Sequence, residues 1–302
     1  MESAIVQGTK RWQLSSFLES RAPAMLTSHE IPHWAGLPLD RTRVMGILNV
    51  TPDSFSDGGR HGGPDAAVAA GLAMAEDGAD IIDVGGESTR PGAAAVPPDI
   101  EQARVIPVVR ALSLAGLCVS VDTRNAATMR AAVDAGATIV NDVSGLTYDP
   151  QAAALVAVRD CPVVLMHMRG TPATMTAMAE YGDVVAEVRA ELMERVEAAL
   201  AAGIARKNIA IDPGIGFAKL AEQSRALLRG LPAFTGLGYP LLIGLSRKSF
   251  IGAAGLEPRA DRRLGGSLAG AVFAALRGAA IVRVHDVRET VQAFRVWRSL
   301  FD

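Results

Sequence analysis

From residue 44 onward the chain keeps a regular beat, and that beat limits what it can fold into. Short aliphatic or β-branched runs fall at VMGILN (44–49), ADIIDVG (79–85), LCVSVD (117–122), TIVNDV (138–143), PVVLMHM (162–168), NIAIDP (208–213), PLLIGL (240–245) and AIVRVHD (280–286). Between them lie Ala-, Leu-, Glu- and Arg-rich stretches with helical spacing at 64–77, 99–115, 124–135, 150–160, 181–203, 221–230, 262–278 and 286–300. Continuous apolar strands separated by helices imply a parallel sheet buried on both faces. Eight such units in about 250 residues is the count of a TIM (β/α)8 barrel. The competing doubly wound sheet usually has fewer strands. For dinucleotides it carries GxGxxG after the first strand, and no such turn follows VMGILN. GLSRKS (244–249) lacks the spacing of a Walker A loop.

The expected fold is therefore an α/β barrel over 44–302, preceded by an extension over 1–43 that packs on or near it and carries Pro23, Pro32 and Pro38. With 302 residues and a formal net charge of -2, the chain lacks the basic excess of a nucleic-acid or anionic-membrane binder. The start, MESAIVQGTKRWQ, has no signal-peptide core, and the run LGGSLAGAVFAAL stops at Arg277, short of a membrane span. Cys118 and Cys161 sit in apolar segments and read as core thiols of a reducing compartment. A cytoplasmic location is expected.

Residues two apart in a strand share a face. Asn49 follows Met45 and Ile47, Asp83 follows Ile81, and Asp122 follows Ser120. Asn141 follows Ile139, Asp212 follows Ala210, Ser246 and Lys248 follow Gly244, and Arg283 and His285 follow Ile281. Each polar residue lies at or just past the C-terminal end of its strand, where barrel active sites are built. The opposite faces carry Leu48, Ile82, Val84, Val119, Val121, Ile209, Ile211, Val282 and Val284, suited to helix packing. Taken singly, each Asp or Asn is as readily a turn or helix cap. Asp134 and Asp142 fall off the favoured face or on a helix and are read as structural. Arg283, inside AIVRVH, must meet either a buried carboxylate or an anionic ligand. The histidines show no zinc-binding spacing.

The motifs NVTPDSFSDGG (49–59), IIDVGGESTRPGA (81–93), SVDT (120–123), IVND (139–142), LMHMRG (165–170), DPGIGF (212–217), SRKS (246–249) and RVHDV (283–287), in order along the chain, resemble the dihydropteroate synthase family. The resemblance implies a TIM barrel, commonly a homodimer. The implied reaction condenses 6-hydroxymethyl-7,8-dihydropterin diphosphate with 4-aminobenzoate in folate synthesis. It implies Asn49 as the Mg²⁺ ligand, and Asp122, Asn141, Asp212 and Lys248 as pterin-binding groups. Arg283 and His285 become diphosphate anchors, with Thr89 nearby, and Thr89, Arg90, Pro91, Phe217 and Ser246 surround 4-aminobenzoate. Lys248, Arg283, His285 and Asp122 are the residues it implies for catalysis, and Pro52, Phe55 and Arg90 for loops that close over the site. Leu220 after Lys219 departs from the polar residue common in relatives, beyond the pocket-facing segment. The alternatives are a pterin-binding methyltransferase domain, which shares Asp122, Asn141 and Asp212 but has no use for Asn49, Arg283 and His285, and a non-catalytic paralogue.

Overall fold

A computed structural model describes residues 32–51, 63–90 and 92–301. Pro52, Phe55, Pro91 and residues 1–31 of the extension lie outside the described residues. Contacts divide the chain into Met1–Ile31 and a compact unit Pro32–Asp302.

The unit opens with a two-stranded antiparallel hairpin, β1 (His33–Trp34) and β2 (Leu37–Pro38). Eight strands follow: β3 (Arg43–Asn49), β4 (Ile81–Gly85), β5 (Val119–Asp122), β6 (Ile139–Asp142), β7 (Val163–Met166), β8 (Ile209–Asp212), β9 (Leu242–Gly244) and β10 (Ile281–Val284). They form one sheet in the order β8-β7-β6-β5-β4-β3-β10-β9, and its neighbours are parallel. A parallel bridge between Ile211 and Leu241 joins its two ends into a barrel. The helices between and after the strands are α1 (Pro64–Glu76), α2 (Pro98–Leu114), α3 (Ala126–Asp134), α4 (Ala152–Val158), α5 (Val184–Ala201), α6 (Ala221–Arg229), α7 (Pro232–Thr235), α8 (Ser249–Gly255), α9 (Leu264–Leu276) and α10 (Val287–Ser299). The short α7 and α8 and the hairpin are absent from the sequence pattern, since they fall outside the eight-fold alternation of apolar runs and helical stretches.

Local chemistry sets the boundaries. Asp183 caps α5 by accepting from Val185 N at 3.0 Å and Ala186 N at 3.1 Å. Glu187 in the first turn returns a bond to Asp183 N at 2.9 Å, and together these contacts start the helix at 184, not 181.

The alternation read along the strands is the alternation of the barrel. Leu48, Ile82, Val84, Val119, Val121, Ile209, Ile211, Val282 and Val284 pack in the core between sheet and helices. Met45, Ile81, Ile139, Val164, Ala210, Leu242 and Ile281 form a separate interior layer, closed from below by Trp34. Trp34 is 2% exposed, and its Nε1 donates to Asn208 O at 3.1 Å. The hairpin thus floors the barrel, and the compact unit starts at Pro32, ahead of the boundary expected at 43/44. With the floor apolar and plugged, the polar ends of the same rows converge at the other mouth.

Candidate active site

Above the apolar layer the interior turns polar within one pleat. Asp83 is 0% exposed, and its Oδ2 accepts from Asn141 Nδ2 at 3.0 Å and Arg283 Nε at 2.6 Å. Arg283 Nη2 donates to Asp122 Oδ2 at 2.6 Å. One guanidinium from β10 therefore crosses the mouth to β4 and β5, and β6 joins through its amide. Burial pushes the Asp122 carboxyl up to about 7, against the pull of Arg283. Burial also opposes the charge on Arg283, but Asp83 and Asp122 outweigh it and hold the guanidinium above its ordinary pKa. Arg283 thus meets two carboxylates, Asp83 and Asp122.

Beside this network lies the loop after β8. Asp212 Oδ1 accepts from Gly214 N at 2.7 Å, which fixes the carboxylate and leaves its second oxygen for another donor. Burial raises the Asp212 pKa, while Lys248 works against the rise. Lys248 Nζ donates to Ile215 O and lies 4.4 Å from the centre of the Phe217 ring. Burial lowers the Lys248 pKa to about 8, with Asp212 partly restoring it. Lys219 holds the loop from behind. Its Nζ donates to Phe217 O at 2.7 Å and lies 2.9 Å from His167 Nδ1. His167 Nε2 is 2.9 Å from Glu191 Oε2, so both ring nitrogens are engaged and His167 is a buttress with no nitrogen left for a metal. Met166, Met168, Met175, Val143 and Ala218 form a small apolar cluster against Phe217. Their flexible thioethers fit a flat, irregular guest.

The third sector is cationic. His285 Nδ1 lies 3.0 Å from Ser246 Oγ, which also accepts from His285 N at 3.3 Å. Burial lowers the His285 pKa to about 4, and Arg247, Arg283 and Arg90 push the same way, so the ring is neutral at pH 7. Arg247 is held by Asp286 through a bidentate pair. Glu87 anchors the loop that carries Thr89 and Arg90. It accepts from Arg124 Nε at 3.1 Å, Arg124 Nη2 at 2.9 Å and Val96 N at 3.0 Å. Arg124 stacks 4.0 Å over Tyr148. Gly92 N donates to Pro172 O at 2.9 Å, tying this loop to the one after β7.

Residues 45–285 match the family described as pterin binding enzyme. A dihydropteroate synthase of Mycobacterium leprae is 49% identical over 266 residues, 86% of this chain and 94% of that protein. The solved dihydropteroate synthase of Xanthomonas albilineans with 4-aminobenzoic acid is 51% identical, covers 88% of this chain and 96% of its own, and superposes with a TM-score of 0.83. The enzyme from the same organism in complex with 7,8-dihydropteroate gives 49% identity, 87% and 95% coverage and a TM-score of 0.80. The chain belongs to the dihydropteroate synthase family.

The family's motifs meet in one mouth. Asp122, Asn141, Asp212, Ser246, Lys248, Arg283 and His285 stand on or just after the strands β5, β6, β8, β9 and β10, at the C-terminal mouth of the barrel. Thr89 is half-buried and Arg90 exposed on the Glu87 loop, and Phe217 is half-buried. The pattern also contains residues that reading by motif passed over: Asp83 as a hub, Glu87 and Arg124 as a loop clamp, and Lys219 with His167 behind Phe217. Only Asp83 carried a signal, its interior parity. Asp134 and Asp142 are structural as read: Asp134 pairs with Arg159 at 2.6 Å, and Asp142 accepts from Ser144 N and Oγ at 2.7 Å.

Among the described residues no cluster of three or more His, Cys, Asp or Glu is arranged to hold a metal. A Mg²⁺ brought in with a diphosphate needs fewer protein ligands, since phosphate oxygens and water complete its shell. The residues fit that case. Gly85 lies between Asn49 and Asp122, and a Cβ on it would stand 3.8 Å from Asn49 Oδ1 and 3.6 Å from Asp122 Oδ2. Asn49 Oδ1 is one oxygen that could serve; Asp122 Oδ2, the other beside Gly85, already accepts from Arg283 Nη2 at 2.6 Å.

Proposed function

We propose that the chain joins 6-hydroxymethyl-7,8-dihydropterin diphosphate to 4-aminobenzoate, giving 7,8-dihydropteroate and diphosphate, as a transferase of folate synthesis. One observation carries this reading: ring-reading carboxylates and an amide share a barrel mouth with the cations an anion needs, joined by the 2.6 Å contact between Arg283 and Asp122. Identity near one half to synthases solved with 4-aminobenzoic acid and 7,8-dihydropteroate supports it. The methyltransferase alternative would have no use for Asn49, Arg283 and His285 as a diphosphate set.

In this reading Asp212 and Asn141 pair with the pyrimidine-like edge of the pterin. Lys248 and Phe217 flank it, and Met166 and its neighbours line the apolar side. A site that leaves such groups unpaired without the ring discriminates strongly against other guests. Arg283 and neutral His285, which donates through Nε2 when Ser246 donates to Nδ1, take the diphosphate end. Asn49 would hold a Mg²⁺ there, and the ion would add positive charge against the leaving group. The C–O bond to diphosphate breaks, the leaving group takes the electron pair, and the electron-rich pterin ring delocalises the cationic CH₂. The amine nitrogen of 4-aminobenzoate, held by Thr89, Arg90, Pro91, Phe217 and Ser246, then forms the C–N bond and loses its proton to solvent. No strong base is required. Pro52, Phe55 and Arg90 belong to segments that exclude water from the cation.

The catalytic domain is the barrel over 44–302, floored by the 33–38 hairpin. The protein acts in the cytoplasm as a homodimer through α9 and α10, which expose Leu276 and Val296, with exposed Leu300 just after α10. Sedimentation at micromolar concentration tests the dimer. The main test mixes the protein, Mg²⁺ and dihydropterin diphosphate with and without 4-aminobenzoate. Diphosphate release that requires 4-aminobenzoate and yields dihydropteroate supports the reading. Lys248→Ala and Arg283→Ala each lower turnover on the order of 100-fold, and Arg283→Ala also lowers stability because it strands Asp83 and Asp122. Full activity in both variants places the chemistry elsewhere.

A further inference from the structure

We infer that Asp83 decides which end of the Asn141 amide faces the pocket, and so sets what that amide can recognise. This rests on the synthase reading only in taking a pterin ring as the guest.

Asp83 cannot touch a ligand, since it is 0% exposed beneath the mouth. It acts through its neighbours. An ionised carboxylate only accepts hydrogen bonds, whereas an amide donates at one end and accepts at the other. Asn141 Nδ2 lies 3.0 Å from Asp83 Oδ2, so the donor end of the amide is committed downward. The carbonyl end is thereby turned away from Asp83. Arg283 closes the alternative. Its Nε occupies the same Asp83 oxygen at 2.6 Å, and its Nη2 is held by Asp122, so the guanidinium cannot turn to offer Asn141 a donor in place of the carboxylate. The pairing is confined further because Asn141 is only 4% exposed and sits in register with Asp122 on β5.

Asp83 is also a counter-charge to Arg283, but its hydrogen bond to Asn141 is a separate contact that charge balance does not require. Among the described residues Asp83 Oδ1 has no hydrogen-bond partner, and neither does Ser120 Oγ, its register neighbour on β5. A buried carboxylate with one oxygen unpartnered is costly. Replacing it with an apolar side chain would remove that cost, but would leave the Asn141 amide free to flip. With Asp83 present, Asn141 offers an acceptor to a ring N–H. With the amide flipped, it would offer a donor to the same N–H and repel it.

A double-mutant cycle on ring binding tests this. The probe is 6-hydroxymethylpterin, which lacks the diphosphate and so leaves the role of Arg283 as an anchor out of the measurement. Asp83→Asn keeps the size of the side chain, but an amide at position 83 presents either a donor or an acceptor and no longer forces the choice. By calorimetry, Asp83→Asn should weaken binding about tenfold in the natural background and less than about twofold in an Asn141→Ala background. Losses that multiply in the double variant, or an unchanged affinity in Asp83→Asn alone, overturn the inference. If Asp83→Asn does not fold, ¹⁵N-asparagine labelling of the unaltered protein serves, with the Asn141 signal identified by its loss in Asn141→Ala. One Nδ2 proton should exchange slowly with solvent, and two fast-exchanging protons overturn the inference. The two readings separate cleanly. A chain that makes dihydropteroate but shows additive losses loses the Asp83 role alone. One that makes none but shows the non-additive cycle loses the synthase reading alone. A chain that does not bind the ring loses both.

Discussion

Gly214 lies so close to the His167 backbone that a Cβ on it would overlap the His167 carbonyl oxygen, and its φ of +68° is one that side chains rarely adopt. The turn that sets Asp212 against its own Gly214 N–H is therefore open to glycine alone. Gly214→Ala should displace the 214–219 loop, cost roughly 1–3 kcal/mol in stability, and weaken binding of the pterin substrate at least tenfold. Urea unfolding and pterin titration read the two effects. An alanine variant with natural affinity would show that the loop does not shape the ring site.

The Glu87–Arg124 pair is buried on both sides, with side chains 5% and 6% exposed. Removing one charge strands the other, which costs about 3–5 kcal/mol for buried pairs. Glu87→Gln should lower the urea midpoint, and because Glu87 also holds Val96 N, it should raise the KM for 4-aminobenzoate more than that for the pterin diphosphate. Equal changes in both KM values would mean that the clamp does not serve the Thr89–Arg90 loop selectively.

Lys248 titrates near 8 in the folded chain, so it is charged below that pH and neutral above it. In the proposed complex Lys248 flanks the pterin ring, where its ammonium donates to ring acceptors. Accordingly kcat/KM for the dihydropterin diphosphate, which reports the free enzyme, should fall as pH rises through about 8. Lys248→Arg, which stays charged, should push that limb upward. Unfolding does not account for the fall. Between about 8 and the ordinary value of 10.5 the unfolded chain holds the Lys248 proton that the folded chain has released, so this group adds stability as pH rises. An alkaline limb that stays put in Lys248→Arg assigns the titration to another group.

Trp34 closes the barrel floor far from the polar mouth. Trp34→Ala should cost about 3–5 kcal/mol, the usual loss for a buried large aromatic, and leave both KM values within about twofold. Thermal unfolding and steady-state kinetics check the split. A large change in KM would mean that the floor and the mouth are coupled through the interior layer.

The barrel was legible because its determinants are local and repeat. Each strand is a continuous apolar run, and the parity of Met45, Ile81 and Ile281 against Leu48, Ile82 and Val282 is the parity of interior against helix layer. Glu101 shows what such local reading cannot see. It lies in the helical stretch 99–115 and looks like a solvated charge, yet it is 0% exposed and accepts from Thr128 Oγ1 at 2.6 Å and Asn125 Nδ2 at 2.9 Å. Those partners come from the next βα unit, so no window around residue 101 contains them.

The sequence by itself determined the eightfold βα order, the face each strand turns inward and the set of polar residues brought to one mouth, since all three follow from periods of 2 and 3.6 along the chain. The tertiary structure decided how those residues pair. Arg283 is 200 positions from Asp83 and 161 from Asp122, and Arg124 is 37 from Glu87. Such bonds depend on barrel closure and on the stagger between strands. A short-range pattern carries neither, and buried charges find partners only when the closed sheet brings them within hydrogen-bonding distance.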